Sequence, residues 1–369
     1  MEVYLSTILL IFLFAFFELR CKLTVVEHTI MASLLYVVIV LQVGLRWETG
    51  TDWSSYYNNF LNTTDINIVF VNSLIGFELG YGLFSFFIRS LTDSYTVFLL
   101  SHAILYYFLI FKANKRLSPF PFLSLLLFYV TNIGVLGSNR QLLALAICLY
   151  ALKFVIEKKP IKFFILVFVA FLFHTTALLF MVYYFLNRDF KKYQIIVVLV
   201  LAFIIGKTTL PNILFSGLGS LLGGASASKV DVYSAASDVG DASLSLIGLV
   251  RRLIYFVLFI VNYDMLTAKF KEYKLLFNGF LFGLVFYFLF SNSLLILVNR
   301  GSLYFNVMEV FLLSSQLLIF QLKTDRKYIL LLLLIYSIYL FFQAISGYPD
   351  LFVPYKGIFI NSDFKRNLY

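Results

Sequence analysis

The feature that most limits what this chain can become is the recurrence, from end to end, of apolar runs about 17 to 20 residues long, each enough to cross a ~30 Å hydrocarbon core as a helix. In lipid every backbone N–H and C=O must find its partner within the segment or in a closed barrel, and continuous rather than alternating apolar runs select helices. With 13% charged residues the chain carries about half the charge of a soluble domain. The expectation is therefore all-α, a polytopic membrane helical bundle forming a single integral membrane domain over residues 1–369. A formal net charge of +10 raises the prospect of nucleic acid, but the Lys and Arg residues sit in short clusters between apolar runs. Positive-inside sorting accounts for that arrangement, so no nucleic-acid partner is expected.

The clusters fix a topology. Arg20 with Lys22, "KANKR" from 112, "EKKPIK" from 157, "NRDFKK" from 187, Lys269 to Lys274 and "KTDRK" from 323 mark the cytoplasmic side. The first run, "VYLSTILLIFLFAFFEL", lacks a basic lead and a small-residue cleavage site, so it is expected to remain as span 1, at about 3–19. Span 2 (about 29–45) returns outward to an extracytoplasmic loop over 46–93. Within that loop "FELGYGLFSFFIRSL" cannot cross fully without placing "KANKR" outside, and is read as an interfacial helix. Spans follow at about 94–111, 119–136 and 140–156. Residues 161–187 have basic clusters at both ends and the polar break "FHTT" between two arms of about 12 residues, or ~18 Å each. That pattern predicts a short re-entrant hairpin with His174 at its tip. A span at about 193–211, an extracytoplasmic loop over 212–246 with Asp231, Asp238 and Asp241, and further spans including about 275–297 and 328–344 bring the total to about 12.

Under this topology Arg46, Asp52, Glu78, Arg140, His174 and Arg300 reach one membrane surface from six separate places in the chain. A charge at the bilayer centre costs ~2.5 to 3.5 kcal/mol on insertion scales, so charges beside spans either snorkel or face a wet cavity. Arg89, Arg251 and Arg252 are read as snorkelling residues. Asp52 could cap a local helix or pair with Arg46, and Glu78 could simply begin the interfacial helix. His174 lies in a polar "HTT" that needs buried partners. Trp47, Trp53, Tyr56 and Tyr57 suit either the interface or sugar stacking. There is no H-E-x-x-H, CxxC, Walker loop, G-x-S-x-G elbow or Asp-x-Asp pair, so neither a metal nor another cofactor is indicated. Cys21 and Cys148 are poorly placed for a disulfide.

"VGLRWETGTDWSSYYNNF", followed in order by "FELGYGLF", "SNRQLLALAI", "FHTTAL", "NRGSLYF" and the terminal "PYK", resembles the EpsG-like family of polysaccharide polymerases, which includes many Wzy-type O-antigen polymerases. The resemblance spans nearly the whole chain. It implies a metal-independent glycosyltransferase of the bacterial inner membrane, GT-C-like in its helical architecture, with its active site facing the periplasm. Its substrate would be a polyprenyl-diphosphate-linked oligosaccharide, with membrane lipid and a chain-length regulator as candidate further partners. The family pattern maps onto Arg46, Gly50, Asp52 and Tyr56; onto Glu78, Gly80 and Tyr81; onto Arg140 and Gln141; and onto His174. Arg300 stands where the family often has an acidic-basic pair, and here Asn299 replaces the acid.

The implied chemistry assigns roles. Arg140 and Arg300, with Arg46 third, would hold the diphosphate, because guanidinium is always protonated and offers a planar fork to phosphate oxygens. Asp52 or His174 would take the proton of the attacking hydroxyl, with Asp52 preferred and His174 orienting substrate. Glu78, Tyr81, Tyr56 and Gln141 would contact the glycan or diphosphate. A lipid-linked oligosaccharide flippase or exporter, or an O-antigen ligase, would use similar features; no internal repeat of the transporter kind is present.

Overall fold

The computed structural model describes residues 1–74, 76–213, 246–291, 298, 300–320 and 323–366. Among these the chain is helical throughout, and its β pairing is confined to an isolated antiparallel bridge between Arg46 and Gly357. The helices are α1 (Glu2–Arg20), α2 (Val25–Gly44), α3 (Trp53–Asn62), α4 (Ile66–Leu74), α5 (Leu79–Leu91), α6 (Tyr95–Leu117), α7 (Pro121–Asn132), α8 (Asn139–Ile156) and α9 (Pro160–Phe173). They continue with α10 (Tyr183–Leu186), α11 (Lys192–Gly206), α12 (Leu246–Val261), α13 (Tyr263–Lys269), α14 (Tyr273–Phe290), α15 (Leu303–Asn306), α16 (Met308–Ser315) and α17 (Lys323–Ile345). Local chemistry sets several starts. Thr24 and Glu27 form a reciprocal capping box before α2, and Pro121 and Pro160 open α7 and α9, where a missing N–H costs nothing.

Six helices are long and apolar enough to cross a membrane. The other apolar helices, such as Pro160–Phe173 and Lys192–Gly206, have 10–17 residues. α8 and α14 form the centre: 72% and 67% of their apolar windows are buried, against 22% for α2. α8 earns that position through Ala144, Ala146, Cys148 and Ala151, small residues that let α6 and α9 approach closely in the absence of a hydrophobic force between helices in lipid. The two cysteines are free, Cys148 within this core and Cys21 exposed.

The basic clusters meet at one end of the bundle. Arg116 pairs with Glu272 at 3.1 Å, Lys274 with Asp189 at 3.1 Å, and Lys192 with Asp264 at 2.7 Å, so clusters far apart in sequence share one end. α6 measures the distance to the other end, because its 23 residues span about 35 Å at 1.5 Å per residue. Its first residue, Tyr95, packs against Trp47 and Trp53.

Several expectations change. The loop over 46–93 holds three helices, α3 to α5, where the sequence reading gave one. α3 hides its helical period under polar residues, since Trp53, Tyr56, Asn59 and Phe60 are its buried face and the Ser and Asn residues between them are not apolar. α5 buries Tyr81, Gly82, Ser85 and Ile88 on one face and exposes Leu83, Phe87 and Leu91 on the other. The 161–187 segment does break at His174, whose backbone is extended, but its second arm is mainly a 3₁₀ helix (Thr175–Val182) packed back on α9. Most of the expected 212–246 loop, with Asp231, Asp238 and Asp241, lies outside the described residues, as do Asn299 and 292–297 at the end of the expected 275–297 span.

Gly50 supplies a backbone that other residues resist. Its φ is +89°, and a Cβ there would sit 2.4 Å from the Cα of Gly137. Gly50→Ala is expected to cost about 1–3 kcal/mol through that strain and clash, read as a lower melting temperature in detergent. Gly347→Ala, where nothing lies within 4 Å of the added carbon, is expected to melt like the parent.

Candidate functional site

At the end opposite the basic clusters, four stretches meet: the loop after α2, the turn before α8, the His174 break and the C-terminal segment. Arg46 ties the first two. It is 2% exposed, and its guanidinium donates to the carbonyls of Val43 (2.5 Å) and Leu136 (3.0 Å) and to Asn139 Oδ1 (2.8 Å). Burial works against its charge and lowers its pKa, yet a guanidinium stays protonated. The expected pairing with Asp52 is not formed, and the arginine expected as a third diphosphate contact is spent on the fold. The carbonyls it serves are backbone groups, which leave no mark in a sequence. The C-terminal "PYK" closes the other side: Trp47 N–H donates to the Lys356 carbonyl (2.9 Å), Tyr355 OH to the Gln42 carbonyl (2.7 Å), and Lys356 pairs with Glu48.

Arg140, beside Asn139 at the start of α8, is the arginine that faces outward, with its side chain 20% exposed. Its Nη1 donates to Glu78 Oε2 (2.5 Å) and to the Gly76 carbonyl (2.8 Å), and its Nε donates to Tyr56 OH (3.1 Å). The plane lies over Phe77, 4.7 Å from the ring centroid, and near Tyr56 at 5.5 Å. Nη2 has no hydrogen-bond partner among the described residues, so one edge of the fork remains for a ligand oxygen. Burial keeps the Tyr56 phenol above its usual pKa and hence neutral, with its proton available to donate.

Glu78 links this arginine to the His174 break, since its Oε1 accepts from the Thr175 N–H at 3.4 Å. His174, 8% exposed, shares a hydrogen bond with Thr176 Oγ1 (2.7 Å), which in turn donates to Tyr304 OH (3.3 Å). Gln141 Nε2 donates to the Arg300 carbonyl (2.7 Å), fixing the exposed Arg300 segment against the residue after Arg140. Asp52 is half-buried and accepts only long bonds, from Ser138 Oγ at 3.5 Å and Thr51 Oγ1 at 3.4 Å. Most of its acceptor capacity is unused.

The structure thus gathers Tyr56, Glu78, Arg140, Gln141 and the His174 and Arg300 segments, with Asp52 two residues from Arg140 through Ser138. It turns Arg46 and Tyr81 inward. Tyr81 is fully buried between Tyr56 and Phe98. Trp47, Trp53 and Tyr57 pack mainly on each other and on Tyr95, with centroids 4.9 to 6.2 Å apart. Sequence reasoning missed Asn139, Ser138, Phe77, Thr176 and Tyr304. "FELGY" and "GSNRQ" carried a signal for the first three, because they flank the motif residues directly.

The EpsG family model matches residues 29–357, and the chain belongs to that family, whose members are Wzy-type polysaccharide polymerases. Neither the curated proteins nor the solved structures contain a match.

Arg46→Ala strands two carbonyls and Asn139, and is expected to cost about 3 kcal/mol, in line with hydrogen bonds to a charged group. Arg140→Ala removes a partly exposed side chain and is expected to melt within a few degrees of the parent. Equal melting temperatures for the two variants would refute the division of labour between these arginines.

Proposed function

We propose that this EpsG-family chain joins polyprenyl-diphosphate-linked oligosaccharide repeat units into O-antigen or a related surface polysaccharide, at the periplasmic face of a bacterial inner membrane. The observation that carries the reading is the Arg140 fork, oriented on two edges by Glu78 and Tyr56 and open on the third. The basic clusters at the opposite end support the orientation, since cytoplasmic loops are rich in Lys and Arg. On this reading the 46–93 and 212–246 segments are extracytoplasmic. The shorter apolar helices, packed among the long ones, bring the membrane passages to about twelve, with α5 at the interface and the His174 hairpin re-entrant.

Catalysis follows from charge placement. A hydroxyl of one lipid-linked unit attacks the anomeric carbon of another; the carbon–oxygen bond to the diphosphate breaks, and polyprenyl diphosphate departs with its negative charge. Arg140 through Nη2, with Arg300 from the adjoining segment, stabilises that charge in a partly water-shielded cleft. Asp52 takes the hydroxyl proton, having unused acceptor capacity and a neighbour, Ser138, on the turn that leads into Arg140. His174 and Thr176 set the cleft wall, and Tyr56 donates to a glycan or phosphate oxygen. No step needs a metal. A chain-length regulator would act from outside this cleft.

Deleting the chain is expected to leave core lipid bearing one repeat unit on a gel of surface glycan. Loss of a flippase or ligase leaves no repeat unit, and persistence of long chains would sink the proposal. Arg140→Ala and Arg300→Ala are each expected to remain in the membrane and to lower polymer synthesis on the order of 10²- to 10³-fold, as removal of a charge-stabilising donor does elsewhere. Long chains of normal length in both variants would rule out their assigned role.

A further inference from the structure

A polar cavity of about 290 Å³ lies between α7, α12, α15, α16 and α17. Arg251, Glu309, Asn306, Gln343, Tyr255 and Thr131 line it, and apolar side chains of the same helices complete the wall. Arg251 is held at this cavity: its Nη1 donates to Gln343 Oε1 at 3.3 Å, and its Nη2 stands 3.9 Å from Glu309 Oε2. Arg252 lies over the Tyr287 ring, 4.5 Å from its centroid.

Glu309 is the unusual member. It is an acidic residue in the middle of an apolar helix, "NVMEVFLL", and only 9% exposed. The 3.9 Å approach of Arg251 is too long for a hydrogen bond, and Glu309 makes none among the described residues; its Oε1 is fully buried without a partner. Buried carboxylates are ordinarily hydrogen-bonded, and one held in an apolar helix is costly enough that a functional reason is the default reading. A donor arriving in the cavity would supply the missing bond as a short, charge-assisted one.

Three properties define that donor. The cavity sits at the lower end of the ~300–1,000 Å³ range of ligand pockets, room for one ring-sized group rather than a chain. Its charged lining is one Arg and one Glu, balanced, so a diphosphate would meet the carboxylate at close range. Its polar lining offers both acceptors and donors: the Glu309 carboxylate, the Asn306 amide, whose nitrogen is already given to Ser302 Oγ (2.9 Å), the Arg251 fork and the Thr131 hydroxyl. A neutral ring bearing several hydroxyls satisfies that set. Tyr255 and the flanking leucines and valines meet its C–H faces.

Position supplies the last element. Asn132 lines the cavity and Ser138 bonds Asp52; the six residue steps from one to the other span no more than about 20 Å, and the 3₁₀ turn Ile133–Val135 shortens that. Gly134 holds the turn against α17, since a Cβ there would lie 2.0 Å from the Ala344 carbonyl oxygen. The cavity and the Asp52 contact therefore adjoin opposite ends of one short segment.

We propose that this cavity binds one pyranose unit of the glycan, with Glu309 accepting a hydrogen bond from a ring hydroxyl and Arg251 and Asn306 fixing its orientation. The assignment rests on the polymerase reading for the source of the sugar. It makes the cavity a specificity subsite, one residue of the repeat unit away from the transfer chemistry.

The test uses the full chain in lipid nanodiscs, with Cys21→Ser to remove the exposed thiol and Gln343→Cys at an exposed position on the cavity rim. The probe is the host's own repeat-unit oligosaccharide, released from its lipid. At ten times its Kd it is expected to slow methanethiosulfonate labelling of Gln343→Cys about tenfold, by mass action. Adding Glu309→Ala should abolish the protection, and Glu309→Gln, which keeps a carbonyl acceptor, should retain part of it. Labelling unaffected by the oligosaccharide overturns the proposal, as does protection by inorganic pyrophosphate in its place. The two readings fail separately. Loss of polymer in Arg140→Ala without protection of Gln343→Cys leaves a polymerase lacking this subsite. Protection together with long chains in the deletion strain leaves a sugar site in a protein that is not the polymerase.

Discussion

The polar end of this bundle depends on a buried guanidinium. Arg46 donates to the last turn of α2, to the turn before α8 and to the first side chain of α8, so three segments are fixed by one planar group. Each neighbour inherits its position. Arg140 follows Asn139 directly, Ser138 precedes it and carries Asp52, and the loop that leaves Arg46 pairs with the C-terminal segment. A lysine could not do this, having no fork to reach separated acceptors. His102 adds a second tether, its Nε2 lying 2.8 Å from the Asn139 carbonyl oxygen.

The arrangement puts burial and an open hydrogen-bonding edge on different arginines. Arg46 is buried and gives three hydrogen bonds to the protein through Nη1 and Nη2, while its buried Nε has no partner among the described residues. Arg140 is held more loosely, by a carboxylate, a carbonyl and a phenol, and keeps an open edge. A guanidinium already neutralised by a carboxylate attracts an anion only modestly. Glu78, however, has a second partner in the Thr175 N–H, so its charge is shared between Arg140 and the His174 break. The shared carboxylate couples the arginine to the His174 segment.

How much of this the sequence disclosed can be traced residue by residue. The apolar runs and basic clusters implied a helical bundle with two chemically distinct ends, and the ion pairs among Arg116, Glu272, Lys274 and Asp189 join clusters that charge sorting had grouped. The ordered motifs brought Tyr56, Glu78, Arg140, Gln141, His174 and Arg300 to one place. What stayed hidden was of two kinds. Arg46 turns inward because two of its three acceptors are backbone carbonyls, α3 is hidden because polar residues interrupt its apolar period, and α4, nine residues long, is too short to read as a span. Glu309 is different, for its signal was present. One acid within an apolar helix needs a reason.

The short 3₁₀ helices explain why chemistry gathers at this end. Where an α-helix stops, up to four N–H or C=O groups need other partners, and in a lipid-bounded protein those partners must be protein side chains or groups facing a wet cavity. The turn Ile133–Val135 and the break at His174 each create such a debt close to the same surface. Arg46 serves it at the first, donating to the Leu136 carbonyl, while Glu78 and the His174 imidazole serve it at the second, accepting from the Thr175 and Thr176 N–H groups. The residues recruited to satisfy broken helices are thus charged or hydrogen-bonding by necessity. Where one of them keeps an unused edge, as Arg140 does beside this frame, the structural requirement and the means to hold a polar substrate become the same feature.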